Sequence, residues 1–107
     1  MAIAIFVVKA NIVKDREEEF NRWYNEDHVP KVLQFKGAVS ARRYKAILGE
    51  DKYQYMAVYE FKDEATFQRF MESDHLKELR ADYASRFGTV SEGVSERTRF
   101  AYVQIWP

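Results

Sequence analysis

Tyr53-Gln54-Tyr55-Met56-Ala57-Val58-Tyr59-Glu60-Phe61 alternates without a slip. Tyr53, Tyr55, Ala57, Tyr59 and Phe61 fall on one parity; Gln54, Met56, Val58 and Glu60 fall on the other. Side chains of a strand point alternately to its two faces, so the run reads as a strand with an aromatic face. Just upstream, Gly49-Glu50-Asp51 forms a short loop. Before it, Gly37 to Leu48 alternates again, with Val39, Ala41, Arg43, Lys45 and Ile47 on one side and Ala38, Ser40, Arg42, Tyr44 and Ala46 on the other. Two alternating runs joined by a short loop predict an antiparallel hairpin.

Working toward the N-terminus, Phe20, Trp23 and Tyr24 recur at i, i+3 and i+4, the spacing of one helix face. Asp15 is placed to cap this helix, and Glu17, Glu18 and Glu19 occupy its first turn, where the helix dipole favours anions. Pro30 interrupts the helix, because the residue before a proline is pushed out of the α region. Either the helix kinks near Asp27–Val29, or a second short helix runs from Pro30 to Gln34. Asn11 to Asp15 reads as a turn, and Ala2 to Lys9 as a strand rich in Ile, Val and Phe and buried on both faces.

Toward the C-terminus, Asp63 or Glu64 starts a helix with Phe67, Phe70 and Met71 at helical spacing. Ser73 caps another, striped by Leu76, Leu79, Tyr83 and Phe87 and stopped by Gly88. Thr89 to Glu96 reads as a polar loop and Thr98 to Trp106 as the last strand. The order β-α-β-β-α-β predicts an α+β, ferredoxin-like sandwich: a four-stranded antiparallel sheet with the helices on one face. Residues 1–107 suit a single domain.

The helices can cover only one sheet face. Whichever parity points away from them, large apolar residues remain: Met56 and Val58 or the tyrosines, Phe100 and Tyr102 or Val103 and Ile105. A patch of that kind exceeds what monomers leave in water, and a two-fold pair is the commonest way to bury it. The expectation is a homodimer built as a dimeric α/β barrel.

Composition removes several function classes. The 17 basic and 17 acidic residues cancel, whereas nucleic-acid binding draws most of its affinity from neutralised phosphates. No polybasic cluster addresses a membrane, and the apolar start, Met1 to Ala10, is too short to span one and lacks the flanks of a signal peptide. A cytoplasmic protein is expected. There are no cysteines and two histidines, which excludes thiolate chemistry and a closed His/Cys zinc site. Asp27–His28 and Asp74–His75 are not spaced as metal ligands, so no metal is expected. With four glycines and no phosphate loop or dinucleotide fingerprint, no cofactor is expected either.

The chemistry-bearing stretch is Phe20-Asn21-Arg22-Trp23-Tyr24-Asn25-Glu26-Asp27-His28-Val29-Pro30. His28 lies four residues after Tyr24, hence on the same helix face, where a neutral imidazole can exchange a proton near neutral pH. The plain alternative is an imidazole bonded to a backbone carbonyl at the kink. His75 falls in the first turn of the last helix, whose N-terminus favours the neutral ring; its plain alternative is a solvated first-turn residue. The aromatic pair Trp23-Tyr24 followed by His28-Val29-Pro30 resembles the EthD-like branch of the dimeric α/β barrel superfamily. A histidine placed like His75 is similar to the base of related barrels, including plant polyketide cyclases, where a tyrosine assists it. The resemblance makes His28, His75 and Tyr55 candidate catalytic residues. Trp23, Tyr24, Arg43, Tyr53 and Phe67 are candidates to line the substrate site.

The resemblance implies a cofactor-independent enzyme acting on a hydrophobic or aromatic small molecule by histidine-mediated proton transfer, of isomerase, cyclase or lyase type. The alternatives are a non-catalytic accessory or ligand-binding protein and a cofactor-free monooxygenase. The fold alone does not choose among them.

Overall fold

The computed structural model describes residues 2–88 and 93–107. Its first strand, β1 (Ala4–Ile12), is central. It pairs on one side with β3 (Tyr55–Phe61) and on the other with β4 (Ser95–Val103), and β2 (Ala38–Lys45) flanks β3. The order β2-β3-β1-β4 is antiparallel throughout. The ferredoxin-like sandwich is therefore the fold. The chain from Glu17 to Leu33, α3 (Glu64–Met71) and α4 (Asp74–Phe87) form the helical layer.

Phe6, Val8 and Ala10 of β1 and Tyr55, Ala57, Tyr59 and Phe61 of β3 are buried toward the helices. The aromatic face read from the hairpin is thus the core face. It closes on Phe67 and Phe70 of α3, with the Phe6 and Phe67 ring centres 5.7 Å apart and those of Phe61 and Phe70 5.0 Å apart. Each such ring taken from water contributes roughly 1.5–3 kcal/mol. The helix caps follow the sequence. Asp63 accepts from the Thr66 amide at 2.8 Å. Ser73 accepts from the Leu76 amide at 3.1 Å and donates to the Phe70 carbonyl at 2.6 Å, stitching α3 to α4. Gly88 ends α4 at φ +73°, where a side chain would be strained.

Several boundaries differ from the reading above. β1 continues through Asn11 to Ile12, because both residues pair with β4. Lys14–Arg16 form a 3₁₀ turn, and helix α1 (Glu17–Trp23) starts after Arg16 with no side-chain cap, so Asp15 does not cap it. In β2 the register slips between Ala38 and Ser40. This bulge turns Ala38 into the core and leaves Val39 exposed, reversing the parity at that end. Ile47 and Leu48 stand in solvent beyond the strand, and Tyr53 precedes β3 rather than belonging to it. The last strand begins at Ser95, so part of the expected 89–96 loop is strand; residues 89–92 lie outside the described residues.

The face opposite the helices carries Ile5 and Val7 of β1, Met56 and Val58 of β3, and Phe100 and Tyr102 of β4, as the pairing register dictates. Val7 is buried by its neighbours, while Phe100 and Tyr102 are exposed. Among the described residues no helix is long and apolar enough to cross a membrane.

Candidate functional site

Pro30 shapes the site. It has no amide hydrogen to offer the carbonyl four residues back, and its ring crowds that carbonyl. The chain answers with a π turn over Tyr24–His28, in which the Val29 amide bonds the Tyr24 carbonyl five residues back. Helical winding then resumes in α2 (Val29–Leu33), with Pro30 in its first turn. The wider turn alters which side chains meet. Five residues apart, Trp23 and His28 would lie about 140° apart around an α-helix. Here their rings stack, with centres 4.8 Å apart and planes at 25°. Tyr24 meets the same imidazole edge-on at 4.9 Å.

His28 is buried, and its Nδ1 has no hydrogen-bond partner among the described residues. Its pKa is lowered to about 4, chiefly by desolvation and next by Arg97, with Lys31 adding a little and Asp82 and Asp27 opposing. The ring is therefore neutral at pH 7.

His28 lines a chamber of about 30 Å³ between the sheet and the helices, walled by Phe6, Val32, Tyr59 and Leu79. That volume suits one small group, such as a carbonyl oxygen or a water. The buried Tyr59 hydroxyl, which also lines it, lacks a partner as well. Burial raises its pKa well above the ordinary tyrosine value, so it remains a hydrogen-bond donor. Arg80, Arg97 and Arg99 line both this chamber and a larger recess of about 340 Å³ between α4 and β4. Tyr83 walls the recess; the Arg97 guanidinium sits 3.5 Å from its ring centre, and burial pushes its pKa up to about 12.

The arrangement is an open recess and a small chamber that share Arg80, Arg97 and Arg99, with a neutral imidazole and a protonated phenol also lining the chamber. Residues 3–100 match the profile of a domain of unknown function, DUF4286. The chain belongs to the DUF4286 family. No curated protein shows significant sequence similarity to it. Solved structures share its fold. An ethyl tert-butyl ether D (EthD) family protein from Bacillus halodurans superposes with a TM-score of 0.66 at 16% identity, over 94% of this chain and 97% of the other. A DABB family protein with a ferredoxin-like fold, from Mesorhizobium loti, gives 0.70 at 11%, over 99% and 100%. SnoaB, a cofactor-independent oxygenase from Streptomyces nogalater, gives 0.58 at 15%, over 98% and 95%. The DUF4286 chain thus shares the ferredoxin-like fold of these structures.

Within this DUF4286 domain the candidates read from sequence divide. His28, Trp23 and Tyr24 come together, and Tyr59 and Arg97 join them. The other two catalytic candidates, His75 and Tyr55, line neither the chamber nor the recess. His75 donates from Nε2 to the Lys31 carbonyl at 2.6 Å, which ties the start of α4 to the end of α2. The backbone-carbonyl role weighed for His28 is thus filled by His75. Tyr55 donates to Glu17 and accepts from Asn21 at 3.1 Å.

Arg43 is half-buried next to Tyr55. It donates to Asn21 and Asn25 at 3.0 Å and lies 4.5 Å over the Tyr24 ring. Burial lowers its pKa, and the aromatic faces and amide oxygens compensate its charge without a carboxylate. Tyr53 donates to Glu96 at 3.3 Å beneath the Lys52 ammonium, outside the site. Phe67 is core, touching Phe6 and Phe61.

The site residues that sequence reading did not single out are Tyr83, Arg80, Arg97 and Arg99. Two left a signal. Arg97 and Arg99 share the parity of Ala101 and Val103, and their pairing with Ala10 and Val8 puts them on the helix-facing side. Charged side chains on a core-facing parity demand a reason, but a strand begun at Thr98 leaves Arg97 in a loop. Among the described residues no group of three or more potential ligands gathers for a metal ion.

Proposed function

We propose that this chain binds a small, partly apolar molecule in the recess between α4 and β4 and carries out proton transfer on it, with His28 as base and Tyr59 as hydrogen-bond donor. One observation carries the reading: a buried imidazole whose Nδ1 is unpartnered and a buried unpartnered phenol, among the described residues, line one chamber that shares three arginines with an open recess. The neutral imidazole has a free lone pair that can accept a proton, although desolvation weakens it as a base, and a phenol held protonated polarises a carbonyl or enol oxygen. Together they suit isomerisation, cyclisation or lyase-type cleavage through an enolate. Trp23, stacked on His28, fixes the ring, and Tyr24 closes its edge.

The reading is tested by solvent deuterium exchange at the α-carbon of small aromatic ketones and 2-oxo acids, followed by NMR. Wild type exchanges the probe. His28→Gln loses roughly a hundredfold and Tyr59→Phe roughly tenfold, while His75→Gln keeps its rate. Equal rates in wild type and His28→Gln remove the catalytic role. Retained binding without any exchange supports the accessory, ligand-binding reading. Oxygen uptake with a phenolic probe would instead favour a cofactor-free oxygenase, the activity of the fold neighbour SnoaB.

The functional unit in this proposal is a homodimer joined through the sheet face that the helices leave open, where Val58, Phe100 and Tyr102 form an apolar surface. The chamber lies on the opposite, helix-facing side and is complete within one chain.

A further inference from the structure

We propose that the ligand carries an oxyanion, a carboxylate or phosphate ester on an apolar body, held by Arg80, Arg97 and Arg99 while its uncharged reacting end enters the chamber beside His28 and Tyr59. This deepens the reading above and rests on the recess being the ligand site. Three guanidinium groups from two elements, α4 and β4, converge on one recess. Their own like charge opposes that convergence, and among the described residues none has a carboxylate within ion-pairing distance. Arg97 is half-buried over the Tyr83 ring, which takes up part of its charge and fixes its plane. A planar guanidinium so fixed matches an oxyanion bidentately.

The pairing register supplies the spacing. Arg97 and Arg99 lie two apart on β4 and point to the same side, and Arg80 faces them from α4. The recess has room for a one-ring compound with its charged substituent, whereas the chamber admits only a single small group. The molecule is therefore read end to end: charge at the arginines, apolar body along Tyr83 and Ala84, and a carbonyl or hydroxyl toward the chamber. Remote binding energy of this kind orients the reacting atoms without touching them.

The test uses the full chain with ¹⁵N-labelled histidine and three probes of one shape: phenylacetate, phenyl phosphate and neutral phenylacetamide. Affinity is measured by calorimetry and location by the His28 resonances. Phenylacetate or phenyl phosphate binding about tenfold or more tighter than phenylacetamide, with His28 shifted, supports the proposal, and the tighter of the two anions identifies the oxyanion. Arg97→Gln and Arg80→Gln each bring the anion-to-amide ratio toward one, and Arg97→Lys restores part of it. Because a ratio is read, a general loss of stability does not imitate the effect, and Arg80→Gln covers the case in which Arg97→Gln does not fold. Equal affinity for anion and amide with His28 shifted overturns the anion proposal and leaves the site standing. Binding that leaves His28 unmoved overturns the site as well. No binding of any probe up to roughly 10 mM overturns the proposal.

Discussion

Replacing His28 with Phe keeps a planar ring against Trp23 and removes the imidazole from the chamber. In the folded chain the His28 pKa is about 4, below its ordinary value of 6.5. The unfolded chain therefore holds more protons than the folded one between those two values, and stability falls as pH falls through that window. Above about pH 6.5 both states carry a neutral ring and the penalty vanishes; below about pH 4 it is complete, at about 3 kcal/mol. Between about pH 7 and pH 5 the linkage relation gives about 2 kcal/mol, or a fall of roughly 8 °C or more in Tm for a domain of this size. Carboxylates such as Asp51 and Glu96, whose pKa values are lowered by their lysine partners, add their own acid loss at lower pH, so the quantity to read is the difference between wild type and His28→Phe. Urea denaturation of both proteins, followed by tryptophan fluorescence across the pH range, supplies it. Wild type loses about 2 kcal/mol more than the variant over that interval. Parallel curves would show that His28 titrates normally, which would refute its desolvated place in the chamber.

Two further outcomes test the scaffold. Gly37 sits at φ +100°, and a Cβ there would lie 2.4 Å from the Thr66 methyl carbon. Gly37→Ala is expected to cost roughly 2–5 kcal/mol from backbone strain and overpacking together, with part of the steric share recovered in Gly37→Ala/Thr66→Ser; chemical denaturation within about 1 kcal/mol of wild type would refute it. Phe100→Glu/Tyr102→Glu is expected to convert a dimer to a monomer in light scattering at micromolar concentration with the helical signal retained, and a wild type already monomeric there removes the proposed interface.

The alternation of Tyr53 to Phe61, the caps Asp63 and Ser73 and the stop at Gly88 were decisive on their own, because strand parity, capping and positive φ are local rules that tertiary contacts here did not override. His28 beside Tyr24 was legible from the i, i+4 rule, and Pro30 announced an interruption. Its form was not legible. Whether a helix kinks, ends or widens at a proline depends on what the freed carbonyls and displaced side chains can pack against, and here the π turn stacks His28 on Trp23.

The recess lay beyond sequence reading for the same kind of reason. Arg80, Arg97 and Tyr59 come from α4, β4 and β3, and only the antiparallel pairing of β4 with β1, and the packing of α4 over that edge, bring them to one chamber. Local patterning fixes which face a side chain takes. Which faces meet, and therefore that His75 bonds a backbone carbonyl while His28 faces three arginines, is set by long-range packing.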